Sequence, residues 1–104
     1  MKKPAKIKKS SIIKSLEKKI IPILKKNGVT KAGIFGSYAR GDYNKKSDVD
    51  ILIQVKRRKF SLFDLVGIEL ELEKELRKKV DLLTYRGINK HLKKYILEDE
   101  VKII

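Results

Sequence analysis

Two aspartates stand one residue apart at the head of an apolar run, Asp48-Val49-Asp50-Ile51-Leu52-Ile53. This pairing limits the architectures open to the chain more than any other feature. The run alternates as a strand does, and successive strand side chains face opposite ways, so Asp48 and Asp50 share one face. Two carboxylates side by side repel each other unless a cation sits between them. Hard oxygen ligands with several retained waters suit Mg²⁺, so a divalent ion is the expected resolution.

Upstream, the stretch reads GSYARGDYNKKSDVD from Gly36 to Asp50, with ten residues between the Gly-Ser pair and Asp48, the first of the paired aspartates. Lys31 to Phe35 reads as a short strand, and Tyr38, Ala39 and Arg40 as the first turn of a short helix stopped by Gly41. A strand that runs straight into a helix leaves backbone N–H groups without intrahelical partners, aimed into the turn. Phosphate oxygens fit there. Gly36 permits close backbone approach, the Ser37 hydroxyl adds a donor, and Arg40 offers a charged fork. A lone Gly-Ser turn is an ordinary tight connection, and it gains meaning only from the acids that follow.

Val80-Asp81-Leu82-Leu83-Thr84 reads as another strand with one acid among aliphatic residues. Such an acid is costly unless it is paired or bound to metal, and the Asp48/Asp50 pair on a neighbouring strand is its expected partner. Helices fill the intervals. Ser10 or Ser11 caps the first, whose apolar positions run from Ile12 to Leu24 before Asn27-Gly28, with Pro22 expected to kink it or end it early. Ser61 and Asp64 form a capping box for another that continues to Lys79. Glu69, Glu71, Glu73 and Glu75 lie too far round that helix to converge on one metal and read as solvated ion pairs. Asn89 is expected to cap a last helix with Leu92, Tyr95 and Ile96 inward, and Val101 to Ile104 to close the sheet. His91 sits among lysines with nothing to orient it and reads as a surface residue. The expected fold is α/β (α+β), a small mixed sheet with helices packed on it.

At 104 residues the chain has room for one domain, read as residues 11–104 behind a basic, flexible arm at residues 1–10. Without cysteine there is no disulfide framework, thiol nucleophile or zinc-thiolate site, and the cytoplasm is the expected location. No run is long and apolar enough to span a membrane. The net charge of +14 would attract nucleic acid or an acidic protein surface, and the arm and the Lys56–Lys59 loop are the candidate contacts for RNA. A thermophile-like composition rich in Lys, Glu and Ile accounts for the charge equally well.

Two acids on one strand and a third on its neighbour can hold two divalent ions, the arrangement that activates an attacking oxygen and stabilises a leaving phosphate. With a phosphate seat beside them, they describe a nucleoside triphosphate held for in-line attack at its α-phosphorus. That chemistry is nucleotidyl transfer.

GSYARGDYNKKSDVDILI, residues 36–53, resembles the Gly-Ser, Asp-x-Asp motif of the DNA polymerase β nucleotidyltransferase superfamily, and most closely its minimal, single-domain branch. Asp81 is similar to that family's third acid, so the resemblance covers about residues 11 to 104. It implies a polymerase β-type core in which Asp48, Asp50 and Asp81 are catalytic and bind two Mg²⁺ ions. Gly36 and Ser37 would hold the nucleotide phosphates, and Arg40 and Ser47 match further nucleotide-binding positions. The minimal branch resembles the antitoxin half of a toxin-antitoxin pair. In that family the enzyme moves AMP from ATP to a tyrosine hydroxyl of an all-helical HEPN ribonuclease toxin. Two alternatives stay open: a nucleotidyltransferase acting on RNA, and a non-catalytic antitoxin that masks its partner.

Overall fold

The computed structural model describes residues 9–56 and 59–104. The alternating acidic run becomes β2 (Val49–Val55), with Asp48 just ahead of it. It lies in one four-stranded sheet with β1 (Val29–Phe35), β3 (Val80–Thr84) and β4 (Val101–Lys102), in the order β3-β2-β1-β4. β1 runs antiparallel to both β2 and β4, whereas β3 is parallel to β2. A parallel neighbour needs a crossover, which α3 (Leu62–Leu76) supplies. The mixed sheet with helices is the fold expected from the sequence, although β1 begins two residues earlier than the charge pattern suggests.

The two sheet faces do different work. On one, α1 (Ser11–Lys26) contributes Ile13, Leu16, Ile20 and Leu24, and α3 contributes Ile68, Leu72 and Leu76. These pack against Ala32, Ile34, Val49, Ile51, Ile53, Val80 and Leu82 of the strands. The period of two in β2 and β3 therefore sends Asp50 and Asp81 to the other face. That face holds a smaller cluster, Phe35, Leu52 and Ile88, with Leu83, Tyr85 and Ile96 against it.

α1 starts where the serines predict: the Ser10 side chain accepts from the Ile13 N–H at 3.3 Å, and Lys9 pairs with Glu17 at 2.7 Å. The helix does not stop at Pro22 but continues to Lys26, ending at Asn27. Pro22 lies on the exposed side, so its missing N–H costs one helical bond without burying an unpaired carbonyl. The rest of the basic arm, residues 1–8, and residues 57 and 58 of the basic loop lie outside the described residues. Among the described residues, no helix is long and apolar enough to cross a membrane.

Four local expectations are corrected. α3 ends at Leu76, with Arg77 at φ 56° as its C-cap, short of Lys79. The last helix, α4, is Lys93–Asp99 and has no side-chain cap; Asn89 instead accepts from the His91 N–H at 2.8 Å. Leu92 and Tyr95 are 53% and 64% exposed, so only Ile96 of the expected trio packs inward. The closing strand is only Val101–Lys102, but Ile103 and Ile104 continue its backbone bonding to Ala32.

The glutamates of α3 are not simply solvated. Glu69 accepts the Leu82 N–H and Glu73 the Val80 N–H, each at 2.9 Å, so two outer donors of β3 are satisfied by carboxylates one helical turn apart. Glu71 reaches across to a lysine, Lys26, and also takes Asn27 Nδ2. Replacing Glu69 or Glu73 by alanine is expected to cost about 1–2 kcal/mol each, the range for a partly buried donor left unmade. Urea unfolding of the two variants checks this, with Glu75→Ala, at an exposed position, expected to change little.

Candidate active site

Three segments meet at one end of the sheet's open face. β1 ends at Phe35, which is in register with Asp50 of β2, and Asp50 is in register with Asp81 of β3. The chain leaves β1 through Gly36 at φ 75°, ψ −153° and enters α2 (Ser37–Arg40) at once. Arg40 N–H bonds the Gly36 carbonyl at 3.0 Å and Gly41 N–H the Ser37 carbonyl at 2.8 Å, closing a single tight turn. Gly41 terminates it in the left-handed region, φ 96°.

Gly36 and Asp50 are interlocked. A Cβ at residue 36 would fall 2.1 Å from Asp50 Oδ2, so the bare backbone is what lets the carboxylate lie against the corner. The Asp50 carboxyl is pushed up to about 6, first by burial and then by the Asp81 and Asp48 carboxylates; the Arg40 guanidinium opposes the rise. Asp81, Asp48 and Arg40 thus all act electrostatically on Asp50. Asp50 is half-buried, Asp48 is partly covered, and Asp81 is exposed.

Among the described residues, no group of three His, Cys, Asp or Glu side chains closes around a metal position by itself. A fully protein-built cage is not what Mg²⁺ requires: one or two carboxylates suffice where substrate phosphates and waters complete its coordination. An oxygen-only donor set whose central carboxyl is held up by burial and then by neighbouring negative charge fits such an ion, because a cation there relieves the repulsion.

The other named residues divide by position. Ser37 opens α2 beside the corner. Ser47 Oγ accepts from the Asn44 N–H at 2.9 Å, so its hydroxyl closes the loop leading to Asp48. Arg40 is held at two points: its Nε meets Asp42 at 3.1 Å and its Nη1 meets Asp99 at 2.9 Å. Tyr38 is buried and stacks on Tyr43 with centroids 4.4 Å apart, fixing the loop between the corner and β2. His91 is exposed, as its surroundings in the sequence suggest.

Sequence reasoning missed Asp99 and Glu100. Glu100 accepts the Tyr85 hydroxyl and lies across Gly33 of β1, where a Cβ would meet its Oε2 at 2.1 Å. The buried glycine inside a strand was the available signal, since such a position often marks close approach by another group. Nothing local marks Asp99. A groove of about 490 Å³ lies at the far end of β2 and β3, lined by residues including Lys56, Phe60 and Arg86 and away from the three acids.

A family model described as nucleotidyltransferase domain matches residues 17–104. A Methanocaldococcus jannaschii protein assigned as a protein adenylyltransferase is 49% identical over 92 residues, covering 88% of this chain and 98% of that one. Protein adenylyltransferase MntA of Thermococcus cleftensis is 36% identical over 76 residues, covering 73% and 76%. Among solved structures, one described as a minimal nucleotidyltransferase superposes with a TM-score of 0.74 at 25% identity, covering 88% of this chain and 93% of that one. A chain from a toxin-antitoxin crystal structure with AMP-PNP matches with the same score and identity, covering 83% and 70%.

Proposed function

The chain belongs to the nucleotidyltransferase domain family, and from that premise we propose that it moves AMP from ATP to a hydroxyl group of a partner protein. The observation that carries the reading is the registered pair Asp50 and Asp81 on adjacent parallel strands, with Gly36 against Asp50. The names of the adenylyltransferase relatives support AMP as the group transferred. The toxin-antitoxin neighbour supports a protein partner. The family resemblance points to a HEPN ribonuclease toxin, with a tyrosine as acceptor and this chain as antitoxin, acting in the cytoplasm.

In this reading Gly36 and Ser37 seat the phosphates at the strand-to-helix corner, and Arg40 supplies positive charge at its rim. Ser47 holds the loop that delivers Asp48. The acceptor oxygen attacks the α-phosphorus in line; its bond to phosphorus forms as the bond to the bridging oxygen breaks, and pyrophosphate leaves. Asp81, open to the acceptor side, takes the hydroxyl proton. Asp48, Asp50 and Asp81 would hold Mg²⁺, two ions in the full complement, which when bound neutralises phosphate charge and favours departure of the leaving group.

The test is coexpression with a helical HEPN partner, followed by intact mass and peptide mapping. The expected result is ATP-dependent addition of AMP to a partner tyrosine, lost in Asp48→Asn and Asp50→Asn. Label entering RNA, with steep salt dependence, would move the acceptor to nucleic acid. A partner silenced equally well by a variant lacking all three acids, with no transfer by the native chain, would replace catalysis with masking.

A further inference from the structure

The contact between Arg40 and Asp99 joins residues 59 positions apart in the chain and ties the phosphate corner to α4. Two carboxylates, Asp42 and Asp99, share one guanidinium. Asp42 and Asp99 occupy two of the guanidinium's five N–H donors and outnumber its single positive charge, so an arriving triphosphate meets negative charge at Arg40 and competes with the carboxylates for it.

α4 itself is lightly packed. It is seven residues long, has no side-chain N-cap and contains no buried residue. Its charges oppose its own dipole: Lys93 and Lys94 stand at the positive end, and Glu98 and Asp99 at the negative end. Ile96 rests on Phe35, Leu52 and Ile88, and beyond α4 Glu100 takes the Tyr85 hydroxyl. Asp99 is therefore favourable where it stands only while Arg40 faces it. Leu92, Tyr95 and Leu97 remain exposed around the helix.

Building on the nucleotide site proposed above, we propose that Asp99 is a built-in stand-in for a nucleotide phosphate, so that ATP and α4 compete for Arg40 and nucleotide binding releases α4. The coupling is reciprocal: whatever draws α4 aside frees Arg40 and tightens ATP binding by the same factor. A partner engaging the exposed side chains of α4 would thus prime the chain for transfer.

The experiment is calorimetric titration of the full chain with ATP and Mg²⁺, paired with amide hydrogen exchange. Asp99→Asn is expected to bind ATP about three- to ten-fold more tightly, because a competing charge is removed from a solvent-facing pair. Asp99→Glu, which keeps the charge, should bind like the native chain. ATP should speed exchange across residues 96–100 of the native chain by about ten-fold, while Asp99→Asn exchanges fast there before ATP is added. Unchanged or weaker binding by Asp99→Asn, or exchange at α4 that ignores ATP, overturns the competition and leaves the nucleotide site standing. ATP binding to none of the variants removes the nucleotide site itself, and the competition with it.

Discussion

Asp50→Asn should lower AMP transfer by at least about a thousand-fold and yet make the folded chain more stable at neutral pH. The loss follows from removing a central charge that would hold metal at the phosphates; some 4 kcal/mol of transition-state stabilisation corresponds to about that factor. The gain follows from the titration. Asp50 has a carboxyl raised from 3.8 to about 6 by burial and its acidic neighbours. Between those values the folded state binds the proton more tightly than the unfolded chain, so ionisation costs stability as pH rises through the interval. Asparagine carries no such cost. Its advantage should be absent below pH 3.8, grow up to about pH 6 and stay level above it. Allowing for partial solvent screening, about 1–2 kcal/mol is expected. Urea unfolding without divalent ions, at pH 3.5 to 8, together with a transfer assay, reads both halves. An Asp50→Asn variant less stable at pH 8 than the native chain would contradict the electrostatic account of the site.

Gly36→Ala is expected to damage the site from the opposite side. At φ 75°, ψ −153° the backbone occupies a region essentially reserved for glycine, so any side chain brings about 1–3 kcal/mol of strain. The added methyl would also stand 2.1 Å from Asp50 Oδ2, so the carboxylate must swing away. A reacting group displaced by about 1 Å costs on the order of a hundred-fold in rate. Transfer should therefore fall by about that factor or more, alongside the stability loss. Gly41→Ala is the informative companion: its φ is 96°, but among the described residues nothing lies within 4 Å of a Cβ there. It should share the strain and spare most of the activity. Equal loss of transfer in both variants would mean that backbone strain, not the carboxylate's seat, governs the corner.

The parts of the fold that were legible in the sequence are those where a residue sits against its surroundings. Acids inside aliphatic runs marked β2 and β3 and put Asp50 and Asp81 on one face, because period-two alternation leaves little choice once Val49, Ile51, Val80 and Leu82 are buried. The glycine corner was legible for the same reason. The glutamates of α3 were misread because residues on a helix's polar side look alike in sequence whether they meet water or a neighbour. Only the lateral placement of β3 shows that Glu69 and Glu73 have backbone donors. α4 was misread because Leu92, Tyr95 and Ile96 fit an inward stripe, yet the sheet beneath offers apolar room only for Ile96. Asp99 was invisible because its meaning lies in Arg40, 59 residues away.

The glutamate contacts to Val80 and Leu82 also bear on assembly. Backbone donors already engaged cannot zip onto an incoming chain, so β3 is a poor template for sheet extension or fibre growth. A partner that grips this domain at the β3 edge must therefore do so through side chains, where specificity can change without rebuilding the scaffold.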